Sequence, residues 1–225
     1  MLFRSKVIVG EVIYWNITNT LNSLDVTVGY GKAVTLSGDG LTLAIGAPNS
    51  DSNNGRVYIM KRASRNTNTW VDVVTIAELM GGERFGSAVS LSTDGGYLAV
   101  GAPFYNGIGG VEVWRTTDGT NWNRVSYANS LGATNGWLQT PMESYGSAGQ
   151  GRIVALSGDA QVLVVGEPEH SAYPDGGYGE GAVWVYYNQG DWWQLASQAK
   201  LMPTKSSIPV LGFGVSLSIS TDGSV

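Results

Sequence analysis

The sequence predicts an all-β fold: a β-propeller of four-stranded antiparallel blades, of which this 225-residue chain forms a part. Two observations support this prediction. Short landmarks recur along the chain at constant spacing, and internal repeats with several strands per unit are typical of propellers. Each whole repeat also contains four short segments with the alternating or apolar pattern of strands, whereas the apolar period of a helix is absent.

The recurring landmarks are an aromatic-glycine pair, an aspartate nine residues after the aromatic residue, and a Gly-x-Pro triplet that begins sixteen residues after it. The pairs, including one degenerate copy, are Tyr30-Gly31, Phe85-Gly86, Gln150-Gly151 and Phe213-Gly214. The aspartates are Asp39, Asp94, Asp159 and Asp222. The triplets begin at Gly46, Gly101 and Gly166. This constant register indicates a structural repeat.

The second repeat shows how one blade is predicted. Val89 and Leu91 are two residues apart and share one face of a first strand. The following Thr93-Asp94-Gly95-Gly96 is a hairpin turn signal, because glycine accepts positive φ and aspartate bonds its own backbone. Pro103 lacks an N–H group and ends the next strand. The second, third and fourth strands of this blade are predicted at residues 97–101, 111–114 and 122–127.

The repeats divide the chain into one propeller region, residues 1–225, with part-blades at both ends. The predicted units are a part-blade at 1–22, blades at 31–76, 86–128 and 151–197, and a part-blade at 213–225. The last repeat stops where its second strand should begin. We therefore favour a fragment of a larger propeller, assembled with blades of the longer protein or of other subunits. The alternative is a closed ring of four blades, in which residues 6–22 complete the last blade.

These repeats resemble the FG-GAP family, the blades of integrin-alpha-like propellers. The resemblance rests on the aromatic-glycine pairs, the Gly-Ala-Pro triplets and a Gly-x-Val element in each blade. That element is Gly55-Arg56-Val57-Tyr58-Ile59, Gly109-Gly110-Val111-Glu112-Val113 and Gly181-Ala182-Val183-Trp184-Val185. The resemblance implies a non-enzymatic binding or structural module that contacts other proteins at the cell surface or outside the cell.

Composition excludes several classes of protein. With 18 acidic and 13 basic residues the net charge is −5, so no basic stripe is present to neutralise the phosphates of a nucleic acid. The chain has no cysteine, which excludes disulfides and thiolate metal sites. No run of 18 apolar residues is present, so we expect no insertion into a membrane.

Calcium is considered because integrin-like blades bind it. The ion takes six to eight oxygen ligands, yet each repeated turn offers one carboxylate, so the turn motifs do not support a calcium site and no cofactor is predicted. A weaker cation loop is conceivable at Asn49, Asp51 and Asn53, which alternate before Gly55. A plain polar loop is the favoured interpretation of these three residues.

The two long loops are the predicted contact regions. His170, the only histidine, lies in the expanded loop 167–180 and is interpreted as a solvated side chain. Trp137 lies in the long segment 129–149 without a counterpart in other repeats and is expected to be exposed. We predict that partner contacts involve Trp137, His170, Tyr173 and Tyr178. The other recurrent tryptophans, at Trp70, Trp122 and Trp192-Trp193, are interpreted as packing between blades rather than as sugar-stacking platforms.

The predicted function is accordingly non-enzymatic, with a protein or glycan surface as the partner. Two alternatives remain open at this stage. One is a carbohydrate-binding, lectin-like propeller. The other is a propeller-based hydrolase, although the sequence has no nucleophile-elbow motif and the acids occur mostly one per turn.

Overall fold

The computed structural model describes residues 2–9, 12–20, 29–67, 69–77, 83–125, 137–139, 149–171, 179–190, 192–203 and 212–224. Their regular secondary structure is almost entirely β. The strands are β1 Leu2–Val9, β2 Val12–Thr20, β3 Ala33–Leu36, β4 Thr42–Ala47, β5 Arg56–Lys61, β6 Val71–Ala77, β7 Ala88–Leu91, β8 Tyr97–Ala102, β9 Gly110–Arg115, β10 Asn123–Arg124, β11 Trp137–Leu138, β12 Ile153–Leu156, β13 Val162–Glu167, β14 Ala182–Asn188 and β15 Trp193–Leu201. Short helical turns occur at Ser50–Asn53 and Tyr105–Gly107.

Three antiparallel sheets correspond to the three predicted whole blades. Blade 1 has the order β3-β4-β5-β6, blade 2 the order β7-β8-β9-β10 with β11 also paired to β9, and blade 3 the order β12-β13-β14-β15. Strands β1 and β2 form a separate hairpin. Within the described part of the chain, no helix is both long and apolar enough to span a bilayer.

The fourth strand of blade 2 differs from the prediction. Residues 126 and 127 of the predicted strand lie outside the described residues, the described part forms the short strand β10, and a second short strand, β11, also pairs with β9. Trp137 lies opposite Glu112, and Leu138 lies opposite Val111. The outer strand is therefore interrupted and resumes on the same ladder, which makes Trp137 a member of the sheet.

The apolar core lies between successive blades. One buried cluster joins blade 1 to blade 2 and contains Val57, Phe85 and Val100. A second cluster joins blade 2 to blade 3 and contains Val113 and Leu163. The middle strands of the blades consist of small and branched apolar residues because both of their faces are covered. Trp70, Trp122 and Trp193 are also buried, as the packing interpretation predicted, whereas Trp192 is 37% exposed and departs from it.

The glycines of the two main motifs meet at the joints between blades. A Cβ atom on Gly101, in β8, would lie 1.8 Å from the backbone oxygen of Gly151 in the next blade. The corresponding distances are 2.0 Å from Gly46 to the Gly86 oxygen and 2.3 Å from Gly166 to the Gly214 oxygen. Only a residue without a side chain allows two backbones to approach so closely. The glycine of the Gly-x-Pro triplet in one blade therefore contacts the glycine of the aromatic-glycine pair in the next blade, and together they form the joint between the two blades.

Hydrogen bonds strengthen each joint. Phe85 pairs with Gly55 of the preceding blade in an isolated parallel bridge, and its N–H group donates to the Asn54 carbonyl at 2.9 Å. Gln150 with Gly109 and Phe213 with Gly181 repeat this bridge. The first strands are also connected, because the Leu156 N–H group donates to the Ser90 hydroxyl at 3.0 Å. The same backbone geometry therefore links each blade to the next.

The repeated aspartates stabilise the hairpin turns. Asp94 Oδ1 accepts hydrogen bonds from the Ser92 hydroxyl at 2.6 Å and from the Gly96 N–H group at 2.9 Å. The turns at Asp39, Asp159 and Asp222 have the same pattern. These carboxylates hold their own turns, which is the role that the sequence favoured for them.

We expect calcium to bind none of these turns tightly, since each offers a single, already bonded carboxylate. Millimolar calcium should therefore leave the melting temperature of the protein unchanged relative to magnesium at equal ionic strength. A rise that appears with calcium and disappears in Asp94→Ala would contradict this prediction.

Antiparallel pairing sorts the loops onto two ends of the sheets. The Ser-Asp turns and the connections from third to fourth strand lie at one end, which we call the turn end. The Gly-x-Pro triplets and the loops that follow them lie at the other, which we call the Gly-x-Pro end. His170 belongs to the Gly-x-Pro end.

The closed four-blade alternative requires the N-terminal strands to share a sheet with the last repeat. In the described chain, β1 and β2 pair only with each other, and residues 215–220 belong to no sheet. Among the described residues, the contact that would close a ring of four blades is therefore not formed. The division into one region with the predicted blade limits stays a prediction.

Candidate functional site

A buried carboxylate marks blade 3 at its Gly-x-Pro end. Glu167 is the last residue of β13, and its counterparts in the other blades are Ala47 and Ala102. Its side chain is only 1% exposed. A charged group in such a position is costly unless polar neighbours compensate for the lost water. Blade 3 thus departs from the other blades by placing an acid where they have a small apolar residue.

An indole and an imidazole surround this carboxylate. Glu167 Oε2 accepts a hydrogen bond from Trp184 Nε1 at 2.5 Å. The same oxygen lies 3.1 Å from Nδ1 of His170, whose side chain is also 1% exposed. The imidazole meets the Trp184 ring edge-on, with 6.0 Å between centroids and 78° between planes. We call Glu167, His170 and Trp184 the blade-3 triad.

The backbone fixes the histidine beside the acid. Pro168 ends the β13 ladder, and a tight turn follows in which the His170 N–H group donates to the Glu167 carbonyl at 3.1 Å. The Gly181 N–H group donates in turn to the His170 carbonyl at 3.0 Å. Both ends of the loop therefore converge on His170, which places its ring over the end of the sheet.

Several buried polar atoms near this turn have unused bonding capacity. Within the described residues, His170 Nε2, Glu180 Oε2 and Arg152 Nε lack a hydrogen-bond partner. The Arg152 guanidinium does contact Glu169, with Nη2 2.7 Å from Oε1. Native structures rarely leave such atoms unpaired, although Tyr58, Trp122 and Trp193 also have buried polar atoms without a partner in the described part of the chain.

The triad has the parts of an acid–base pair. A carboxylate next to Nδ1 favours the tautomer that carries its proton there, which leaves Nε2 free to accept a proton. The 3.1 Å contact between Nδ1 and the carboxylate is a close polar contact without the alignment of a directed hydrogen bond. A small rotation of the imidazole would align the two groups. His170 Nε2 is itself buried, so its use as a base towards water requires the surrounding loop to open.

Two predicted site residues lie in surroundings that the sequence did not indicate. Trp137 was expected to be exposed, but it is 3% exposed and stacks on Tyr105 at 3.9 Å with an interplanar angle of 13°. That expectation is wrong because the residue belongs to β11. His170 was interpreted as solvated and is buried, because Glu167 gives its ring a polar partner inside the protein.

The structure gives less information on the remaining predicted site residues. Tyr173 and Tyr178 lie outside the described residues. Asn49, Asp51 and Asn53 lie in the loop after the first Gly-x-Pro triplet and are exposed. The Asp51 carboxylate lies 3.8 Å from the Arg56 guanidinium and accepts a bond from Asn54 at 3.4 Å. A cation at this loop stays a prediction, as does partner binding by the four residues proposed for it.

No protein-family model matches the chain, and no curated protein matches it. Solved structures do. A protein of Bacteroides uniformis provisionally named a 6-phosphogluconolactonase matches with 14% identity and a TM-score of 0.55 over 88% of this chain and 48% of its own length. The periplasmic gluconolactonase of Pseudomonas aeruginosa matches with 15% identity and a TM-score of 0.58 over 89% of this chain and 51% of its own. The fold is a β-propeller. The chain spans about half the length of these structures.

The comparisons correct two expectations. The resemblance to FG-GAP blades is wrong as a family assignment, because no family model supports it and the similar propellers are described as lactonases. The expectation of a non-enzymatic module, with its cell-surface binding role, is contradicted by the same two structures. One of the two similar structures is a periplasmic protein, and the location of this chain is taken up with its proposed function.

Proposed function

We propose that this chain is part of a propeller-based hydrolase that opens a lactone, with the blade-3 triad as its acid–base centre. The observation that carries the proposal is the buried Glu167–His170 pair, in which Nε2 has no hydrogen-bond partner among the described residues. The names of the two similar propellers support the reaction class, since both are described as lactonases. Their low identity leaves the chemistry of this chain to be argued from its own residues.

The proposed reaction is simple acid–base hydrolysis. His170 Nε2 removes a proton from a water molecule as the water oxygen attacks the lactone carbonyl carbon. The negative charge of Glu167 stabilises the imidazolium that forms. The tetrahedral intermediate then collapses, the ring C–O bond breaks, and the imidazolium returns its proton to the departing alkoxide. The product is an open hydroxy acid, and His170 is neutral again.

Trp184 acts as a positioning residue in this proposal. Its N–H group donates to the carboxylate oxygen that faces the imidazole, and its ring lies nearly perpendicular to that of His170. A carboxylate held in this way cannot rotate away from Nδ1. Lys200 lies over the other side of the indole, with Nζ 5.3 Å from the ring centroid, and further limits its movement.

Location and assembly are part of the same proposal. An enzyme of this kind outside the cytoplasm would act at the cell surface or in the surrounding medium. Because the chain spans about half the length of the similar structures, the working enzyme combines these blades with others, from the longer protein or from a second subunit. No cofactor is proposed, since proton transfer by an imidazole and a carboxylate uses water alone.

The test is the hydrolysis of glucono-1,5-lactone, measured as acid release at constant pH against the spontaneous rate. We expect His170→Gln to lower kcat by about 10²–10⁴-fold, the usual contribution of a general base. Glu167→Gln should also lower kcat, because the imidazolium that forms during the reaction loses its countercharge.

Blade 2 supplies a matched control. Glu112 is fully buried and accepts an indole N–H bond from Trp114 at 3.0 Å, but it faces Arg124 instead of a histidine. Glu112→Gln should therefore leave the rate within about twofold of wild type once the folded fraction is matched by circular dichroism. The assay uses the protein assembled with its remaining blades. Assembled, folded protein without hydrolysis above background, or full activity in His170→Gln, would exclude the proposal.

A further inference from the structure

A cleft opens at the turn end, on the opposite side of the sheets from the blade-3 triad. It has a volume of about 650 Å³, within the usual range for small-molecule sites. Blade 1 contributes the Asp39 turn, the end of β5 and the exposed side of β6. Blade 2 contributes the Asp94 turn and the connection 116–120. The cleft thus follows the joint between the two blades.

Two carboxylates present acceptors to this cleft. In Asp39 and Asp94, Oδ1 is bonded to a serine hydroxyl and a backbone N–H group of the turn. Oδ2 of both residues has no hydrogen-bond partner within the described chain. Burial raises the pKa of Asp39, but the bonds from Ser37 and Leu41 outweigh it and lower that pKa below its usual value. Asp39 is therefore ionised at neutral pH, and its second oxygen can accept bonds.

Lysine and threonine provide donors. The Lys61 ammonium lies against Gly119, where a Cβ atom would be 1.9 Å from Nζ, and it has no hydrogen bond or ion pair within the described residues. Thr117 contributes to the lining from blade 2. Asp118 is different. Two backbone N–H groups and the side-chain amide of Asn121 donate hydrogen bonds to its carboxylate, and these bonds hold its pKa well below the usual range. Asp118 therefore stabilises its own loop, and the residues available to a ligand are Asp39, Asp94 and Lys61.

An apolar wall completes the cleft. Leu41, Val71 and Val73 line one side, and Val71 is 60% exposed. An exposed branched side chain beside two carboxylate oxygens and an ammonium group that have no hydrogen bonds within the described residues suits a ligand with both C–H faces and hydroxyl groups. The charged lining groups are Lys61 and Arg62 against three aspartates. This balance disfavours an anion.

We propose that this cleft binds a neutral saccharide, with its C–H face on Val71 and its hydroxyl groups on Asp39, Asp94 and Lys61. A hydroxyl group both donates and accepts, so it can satisfy a carboxylate and an ammonium in the same site. The site is separate from the blade-3 triad and would tether the protein to sugar-rich material. The proposal does not depend on lactone hydrolysis.

The test is a titration of the labelled protein with glucose, followed by amide NMR signals and by calorimetry. We expect saturable shifts at Gly95, Gly96 and Gly119, which border the cleft. Lys61→Met should weaken glucose binding about tenfold or more, because it removes a hydrogen bond from a charged donor. Val71→Asp should abolish binding, since it places a charge against the C–H face. Lys32→Met, at an exposed lysine outside the lining, is the matched control and should bind as wild type.

The outcomes separate this site from the proposed active site. His170→Gln should bind glucose with unchanged affinity even if it is inactive on lactones. Gluconate, which has the same carbon skeleton with a carboxylate, should bind more weakly than glucose. The proposal is overturned by an absence of saturable shifts, by equal affinity in wild type and Lys61→Met, by stronger binding of gluconate, or by shifts confined to the Gly-x-Pro end.

Discussion

Replacing Phe85 by alanine is expected to lower the free energy of unfolding by about 3–5 kcal/mol, the usual cost of truncating a buried aromatic side chain. Phe85 is fully buried in the cluster that joins blades 1 and 2. Its ring meets Trp137 edge-on, with 6.3 Å between centroids and 81° between planes. The cavity left by alanine would lie at the joint itself, where the Gly55 bridge limits how far the blades can close over it.

Chemical denaturation of Phe85→Ala and Phe104→Ala measures this effect against a matched control. Phe104 is 38% exposed and lies over the Arg84 guanidinium at 4.7 Å, so its loss should cost about 1 kcal/mol or less. A loss below about 1 kcal/mol in Phe85→Ala would show that the aromatic landmark of the repeat has no role in packing.

The regular part of the fold could be predicted from the sequence because each blade repeats the same local chemistry. Val89 and Leu91 at two-residue spacing, the Asp94 turn and the apolar run before Gly101 each indicate the correct element. The interrupted outer strand of blade 2 could not be predicted in this way. Trp137 follows a long segment without repeat landmarks, so its place opposite Glu112 depends on a ladder that resumes after that segment.

The sequence indicated one residue of the candidate site but not its surroundings. His170 attracted notice as the only histidine, but its position in a long loop suggested solvent exposure. The informative signal was the nearby Glu167. It is an acid at the strand position that is occupied by alanine in the other two blades, as Ala47 and Ala102. A carboxylate buried at the end of an apolar strand needs a polar partner inside the protein. His170, three residues further along the chain, is that partner. The cleft beside Lys61 combines two blades and has no signature in either repeat alone.

The family assignment failed for a related reason. Aromatic-glycine pairs and Gly-x-Pro triplets satisfy the geometry of blade joints, as the contact between Gly101 and Gly151 demonstrates. Any propeller whose blades approach this closely needs small residues at these places. The motifs therefore report how blades pack, and they carry little information on what the protein does.

Replacing Gly101 by alanine should be the most disruptive single change at a joint. The new methyl group would lie 1.8 Å from the Gly151 oxygen and 2.8 Å from its carbonyl carbon, both backbone atoms that no rotamer change can move. Blade 3 would have to shift away from blade 2, which separates the cluster containing Val113 and Leu163. We expect the free energy of unfolding to fall by about 3 kcal/mol or more, at or above the upper end for overpacking.

Gly96→Ala is the control, because its methyl group would meet only the Asp94 carboxylate, at 3.2 Å, on an exposed turn. Denaturation midpoints and amide hydrogen exchange of β12 should distinguish the two variants. Equal stability of Gly101→Ala and Gly96→Ala would show that the blades do not approach each other as closely as this joint requires.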